Sequence, residues 1–191
     1  MGVSTQHEAR IRAFVSRLDG AVSRSSDVAH VTHSVKSILE SETGICEALP
    51  ERFLRPCSEK YARRLLHMDA AGKYSVVVMV WGSGQCTPLH DHSGTWCVEC
   101  VASGRILVTR YDLVGASTSP LLEFREAGRV EAGTGEAGAL IPPFEYHRIE
   151  NPYPEQAVTV HVYGGEMVSC SAFFPEGDRY RRELRSLQYT D

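Results

Sequence analysis

Two histidines flank one aspartate in His90-Asp91-His92, and a third stands further along in Tyr146-His147-Arg148. Residues two apart on a β-strand point to the same face, so His90 and His92 can offer both imidazoles to one metal ion. A closed sheet can bring His147 in on a second strand beside the first. Three neutral imidazoles on one face leave coordination positions open, which is what a catalytic metal requires. A bare His-x-His is common and weak evidence; the pair with a later histidine in a particular frame is stronger. His30 and His33 also lie three apart on a helical pattern, where a polar helix face accounts for them without a metal. His67 precedes a turn and needs no special role.

The chain has six cysteines, Cys46, Cys57, Cys86, Cys97, Cys100 and Cys170. Cys97 and Cys100 form a Cys-x-x-Cys pair, but no second pair stands at zinc-ribbon spacing, so a zinc or redox reading of it is weak. Their context points to separate fates. A chain of 191 residues can build a full core and does not need disulfide staples.

The elements that must position these residues fall into two blocks. Residues 1–50 read as a helical layer. Thr5-Gln6-His7-Glu8 has the form of a capping box, followed by Ile11, Phe14, Val15 and Leu18 at helical spacing. After Gly20 a second helix is expected, with Asp27 as N-cap and Val28, Val31, Val35, Ile38 and Leu39 on one face. From Tyr61 the character changes to short apolar or alternating runs separated by Gly, Pro and Asp. Strands are expected over 74–81, 95–102, 105–112, 121–124, 139–141, 157–163 and 168–174, a spacing that suggests a sandwich or barrel over 61–175. The charged stretch 177–191 is expected to pack as an outer strand or to stay partly loose. One domain over 1–191 is expected.

Hydrophobic content of 42% and charged content of 23% are ordinary for a globular protein. A net charge of −4 argues against a general nucleic-acid binder. No run approaches the roughly 20 apolar residues of a membrane span, and the polar start lacks a signal segment, so a cytoplasmic location without membrane association is expected. No oligomeric state is assigned.

Gly84, five further residues and His90-Asp91-His92 resemble the first cupin motif; Pro142, His147 and Asn151 resemble the second. The resemblance implies a mainly β fold, a double-stranded β-barrel with the metal inside, here with N-terminal α-helices. Phe144 departs from it, standing where the second motif usually has Gly. The first motif usually places a glutamate ligand where this chain has Cys97, with Gly104 at the expected distance beyond. In that respect the chain resembles the cysteine dioxygenase family, which keeps three histidines on the metal. The family's cysteine can be joined to a tyrosine through a thioether, and the matching tyrosine here is Tyr163. Alternation puts Thr159, His161 and Tyr163 on one face, similar to the family's hydroxyl–His–Tyr row. Tyr61-Ala62-Arg63 resembles the segment supplying an arginine for the substrate carboxylate, and Tyr61 and Arg63 share a face. Related enzymes for mercapto-acids often carry Gln there, so Arg63 points toward cysteine. Trp81-Gly82, His147-Arg148-Ile149-Glu150-Asn151 and Cys170 fit as well. Trp96 and Glu99 are departures. Glu99 lies two residues past the usual glutamate position, roughly 7 Å along a strand, and is read as structural or salt-bridged rather than as a ligand.

The resemblance implies that His90, His92 and His147 hold Fe(II), that Arg63, beside Tyr61, fixes the carboxylate of a small thiol, and that both atoms of O2 end on the sulfur as a sulfinate. It implies that Tyr163, oriented by His161 and Thr159, hydrogen-bonds near substrate and oxygen. Plainer roles stand beside these: His161 as a satisfied core histidine, Tyr163 as a buried core tyrosine, Cys97 as a small hydrophobe, Arg63 as the partner of Glu59. L-cysteine is the expected substrate. Alternatives are 3-mercaptopropionate or mercaptosuccinate, the latter needing a second cation, or a non-catalytic metal- or ligand-binding cupin. A zinc or manganese isomerase is disfavoured by the lost carboxylate ligand and the Cys97/Tyr163 pair.

Overall fold

Phe14, Leu18 and Ala21 recur along one face of α1 (Gly2–Ser23), and Val31, Val35 and Leu39 along one face of α2 (Val28–Ser41). The computed structural model describes every residue except Met1, Thr43 and Phe144, with the side chains of residues 2–4 also outside the described set. The departure noted at Phe144 therefore lies outside the described residues. Asp27 caps α2 as expected, its side chain accepting the Ala29 N–H at 2.9 Å. The first helix differs from expectation in two ways. It starts upstream of Thr5, so the capping-box pattern sits inside the helix, and it continues through Gly20 to Ser23. A helical glycine costs about 1 kcal/mol, and the buried Leu18 and Ala21 beside it outweigh that. A short helix α3 (Ile45–Ala48) and a 3-10 turn (Glu51–Phe53) lead into the strands.

The strands are β1 (Ala62–Met68), β2 (Ser75–Trp81), β3 (Leu89–His90), β4 (Cys97–Ser103), β5 (Arg105–Val114), β6 (Leu121–Gly133), β7 (Ala137–Leu140), β8 (His147–Glu150), β9 (Ala157–Tyr163), β10 (Ser169–Glu176) and β11 (Arg179–Ser186). They form one sheet in the order β1-β2-β9-β4-β7 and a ring β10-β11-β6-β5-β8-β3, all pairs antiparallel. The architecture is a mainly β barrel with helices layered on one sheet. No described helix is long and apolar enough to cross a membrane.

The helical layer explains the apolar runs of the central strands. Val76, Val78 and Val80 of β2, Val98 and Cys100 of β4, and Val158, Val160 and Val162 of β9 pack with the helices. Val77, Met79, Trp81, Cys97, Val101 and Tyr163 face the barrel interior instead. A sheet buried on both faces reads as continuous hydrophobicity rather than alternation. Fully burying a side chain such as Leu18 or Val35 contributes about 1.5–3 kcal/mol, so the helices seal the outer face while the inner face stays available for polar groups. The same alternation separates Cys97 from Cys100, so their Cys-x-x-Cys spacing makes no joint site.

β6 and β11 extend beyond the expected pattern. Past Leu122 and Phe124 the side chains of β6 are largely exposed and polar, and its ladder to β5 holds the backbone. β11 is charged and pairs with β10 and β6, carrying the sheet past 175 to Ser186. The tail after it is tied down: Thr190 N–H donates to the Arg63 carbonyl at 2.7 Å, and Leu187 N–H to Val168 at 2.8 Å. The β4–β5 turn needs its glycine, because Gly104 has φ +79° and a Cβ there would stand 2.8 Å from the Gln156 carbonyl. Asn151, fully buried, donates to the carbonyls of Trp81 (3.0 Å) and Glu155 (2.8 Å), fastening the end of β8 to β2.

Candidate active site

His90 ends β3 and pairs across the ladder with His147, the first residue of β8. His92 lies past the end of β3 in the following loop, so strand alternation is not what aims it. The loop delivers it all the same. The ring centroids of His90 and His92 are 5.2 Å apart, His90 and His147 4.5 Å, and His92 and His147 4.9 Å. One ligand atom from each lies within 4.8 Å of the others, a group that could hold a metal ion. Burial holds the pKa of His90 below the usual imidazole range, and burial plus the neighbouring histidines hold His92 and His147 well below it. All three are neutral at pH 7, as ligation requires. His90 Nδ1–H donates to the Pro88 carbonyl at 3.1 Å, which fixes its tautomer and leaves Nε2 for a metal. Both ring nitrogens of His147, and Nδ1 of His92, are buried without a hydrogen-bond partner.

The interior face of β9 carries Thr159, His161 and Tyr163, and β4 lies beside it in register. Cys97 faces Tyr163 directly, Glu99 faces His161, and Val101 faces Thr159. Thr159 Oγ1 accepts the Trp81 indole N–H at 2.9 Å and lies 2.7 Å from His161 Nε2. With the indole proton received, the hydroxyl proton goes to Nε2, and His161 carries its own proton on Nδ1. His161 and Tyr163 stack nearly parallel with centroids 5.9 Å apart. His161 thus supports Tyr163 by ring contact, and both its nitrogens are directed elsewhere. Burial drives the His161 pKa down to about 3 and pushes the Tyr163 phenol and the Cys97 thiol well above their usual values.

Glu99 was expected in a structural or salt-bridged role rather than as a ligand, and the structure puts its carboxyl against two histidines, His147 and His161. Its Oε1 lies 3.6 Å from His147 Nδ1 and its Oε2 3.5 Å from His161 Nδ1. Burial raises its pKa to about 8, so in the metal-free protein at neutral pH these are contacts between neutral groups.

A cavity of about 350 Å³ opens onto the three histidines, and Tyr61, Arg63, Met79, His161, Tyr163, Met167 and Cys170 share its lining. Arg63 is only 4% exposed. Its Nη2 donates to the Met167 carbonyl at 2.8 Å, whereas Nε and Nη1 are buried without a partner. The guanidinium lies over the rings of Tyr189 (4.8 Å) and Tyr163 (5.9 Å). No ion pair joins Arg63 to Glu59 or to any other acid among the described residues. Tyr61 stacks on Trp81 with centroids 4.6 Å apart. Arg64 turns away and donates to the Arg55 carbonyl, and Arg148 pairs with Glu150. Neither reaches the cavity; the further cations on its lining are Lys60 and Arg185. Leu187, Gln188 and Thr190 complete the wall. Their part was hidden in sequence, because nothing local in a charged tail shows which strand it folds back upon.

Among curated proteins, the chain is 25% identical over 115 residues to cysteine dioxygenase type 1 of Rattus norvegicus and 24% identical to that of Homo sapiens. Each match covers 60% of this chain and 56% of the relative, so the chain spans about half the length of the relatives it matches. Among solved structures, a Klebsiella pneumoniae protein described as having a double-stranded beta-helix domain aligns with a TM-score of 0.48 and 19% identity. That alignment covers 61% of this chain and 88% of the other. The model of the family described as cysteine dioxygenase type I matches residues 14–175, from within α1 into β10. By that match over most of its length, the chain belongs to the cysteine dioxygenase type I family.

Proposed function

We propose that the chain is a thiol dioxygenase that converts a small amino-acid thiol, L-cysteine, to its sulfinate. The observation that carries this reading is Arg63. A buried cation with two free donor groups shares one cavity with three convergent neutral histidines. Leaving a guanidinium unpaired in such a site is costly, and a ligand carboxylate would relieve that cost. The reaction balances as RSH + O2 giving RSO2H: sulfur loses four electrons, O2 gains them, and the thiol hydrogen remains on the product.

The donor set fits Fe(II), with His90, His92 and His147 as ligands. Iron held there would supply the redox chemistry and would favour the thiolate form of a thiol substrate. The chain's own residues do the rest. Arg63 takes the carboxylate and so sets the distance from thiol to histidines. Met167 and the two tyrosine rings keep the guanidinium from swinging out. Tyr163, held protonated by burial, offers its hydroxyl as a donor beside the histidines. Thr159 and His161 keep the ring behind it in place. Cys97, in register with Tyr163, is positioned for a thioether to the phenol ring, formed with loss of one hydrogen from each residue and O2 as the electron acceptor. Tyr61 forms part of the cavity wall, backed by the stacked Trp81 ring.

Lys60 and Arg185 on the same lining favour a second reading, a thiol carrying two carboxylates such as mercaptosuccinate. Oxygen uptake by the Fe(II)-loaded protein with cysteine, 3-mercaptopropionate and mercaptosuccinate tests both. The greatest kcat/KM is expected for cysteine. Preference for mercaptosuccinate moves the assignment to the second reading, and no uptake with any of them leaves a metal-binding cupin without this activity.

A further inference from the structure

We propose that Glu99 is the residue that positions His147 for the metal and couples that ligand to the Thr159–His161 row. The inference rests on the reading of His147 as a metal ligand and deepens it. Glu99 stands on β4 directly across the ladder from His161. Each carboxyl oxygen addresses one histidine: Oε1 faces His147 Nδ1 at 3.6 Å, and Oε2 faces His161 Nδ1 at 3.5 Å. With Nδ1 of His147 turned to Glu99, Nε2 is the nitrogen left for the metal. The arrangement parallels His90, whose Nδ1 is committed to the Pro88 carbonyl.

Glu99 also stands behind the ligands rather than among them. It lines a second cavity of about 530 Å³, shared with Ile106, Arg110, Leu140 and Tyr146, and is absent from the lining of the cavity that holds the three histidines and Arg63. Glu99 is 6% exposed, and its Oε2 has no hydrogen-bond partner. No lysine or arginine pairs with it among the described residues; its carboxyl meets the two histidines instead. A packed apolar side chain would fill that space at lower cost in the empty protein, so the carboxyl is accounted for by what it does for its neighbours. Both contacts exceed hydrogen-bond length by about half an ångström. Ligation of His147 through Nε2 puts a proton on Nδ1, and a small rotation of the carboxyl then closes that contact. An imidazole ligand held by an outer carboxylate is a more basic and better oriented donor.

Glu99→Leu and Glu99→Gln in the full-length chain test this with cobalt(II) as probe and no thiol present. Affinity is read by competition with a chromophoric chelator. The visible cobalt spectrum reports coordination number, and shifted exchangeable imidazole N–H resonances report the His147 contact. Glu99→Leu is expected to weaken cobalt binding about 10–100-fold and to abolish or broaden one N–H resonance. Its coordination number should be unchanged, and its metal-free form should melt no lower than the parent. Glu99→Gln, whose amide oxygen can still accept from His147, should lose less affinity and keep that resonance. Parental affinity and N–H resonances in Glu99→Leu would overturn the proposal. So would a lower coordination number, which would make Glu99 a ligand, or an affinity loss matched by a collapse of metal-free stability in both variants. Because no turnover is measured, wild-type failure to oxidise thiols would remove the dioxygenase reading without touching this result.

Discussion

If the proposed function holds, Arg63→Leu should erase the preference for a carboxylated thiol, and the structure sets the size of the effect. Nη2 is committed to the Met167 carbonyl, while Nε and Nη1 are buried without a hydrogen-bond partner, and Arg63 lines the cavity the histidines share. A docked carboxylate gains two charge-assisted hydrogen bonds, each worth about 1.5–3 kcal/mol in a buried site. Together they amount to about 3–6 kcal/mol, or roughly 10²–10⁴ in relative kcat/KM at ~1.4 kcal/mol per decade. The assay compares cysteine with cysteamine, which keeps the thiol and amine and lacks the carboxylate. The wild-type protein should favour cysteine by that ratio, and Arg63→Leu should bring the two close to parity. The substitution also strands the Met167 carbonyl and removes ring contacts at Tyr189 and Tyr163, so both absolute rates can fall; the ratio isolates the carboxylate. A variant that slows both thiols equally while keeping the wild-type preference would refute the assignment, as would a wild-type protein that does not discriminate.

Two further outcomes follow from the site's electrostatics and register. Urea unfolding of the metal-free protein across pH should show stability falling as pH drops below about 6.5. The unfolded chain takes up protons there, while burial keeps His161 neutral down to about 3 and holds His90, His92 and His147 below their usual range. His161 alone accounts for several kcal/mol at ~1.4 kcal/mol per pKa unit. Glu99 acts in the opposite sense: its pKa is raised from 4.5 to about 8, so it costs stability progressively as pH rises through that window, and Glu99→Gln should flatten this slope. A pH-independent profile from neutrality to about pH 4 would contradict the neutral buried cluster. After turnover with iron and O2, the intact protein should lose the mass of two hydrogens as the Cys97–Tyr163 thioether forms. Cys97→Ser should abolish that loss and Cys100→Ser should preserve it; the reverse would show that the register of β4 against β9 is misassigned.

Much of this arrangement was legible residue by residue. The unbroken apolar character of β2 marked a strand buried on both faces, and Asp27 marked the start of α2. His90, His92 and His147 converge because β3 and β8 are ladder neighbours, although His92 reaches the cluster from a loop rather than by strand alternation. Distance along the strand set Glu99 apart from the ligand position, but it could not show which side chains its carboxyl meets. Across an antiparallel ladder the neighbours on the next strand are closer than residues two along, and pairing with His161 brings its carboxyl to 3.5 Å. The tail that walls the cavity was unreadable for a related reason: Thr190 meets the Arg63 backbone through its own N–H and its hydroxyl, contacts with no local pattern. Thr5 looked like a cap because its residues fit one, yet the helix propagates past it to Gly2.

Dioxygenase activity is tested most directly by turnover of cysteine by the Fe(II)-loaded protein under isotopically heavy O2, with the product read by mass. Cysteine sulfinate carrying two heavy oxygen atoms is expected, with turnover lost in His147→Ala. Cystine with release of peroxide, a product with at most one heavy atom, or no turnover by a fully iron-loaded protein would contradict it.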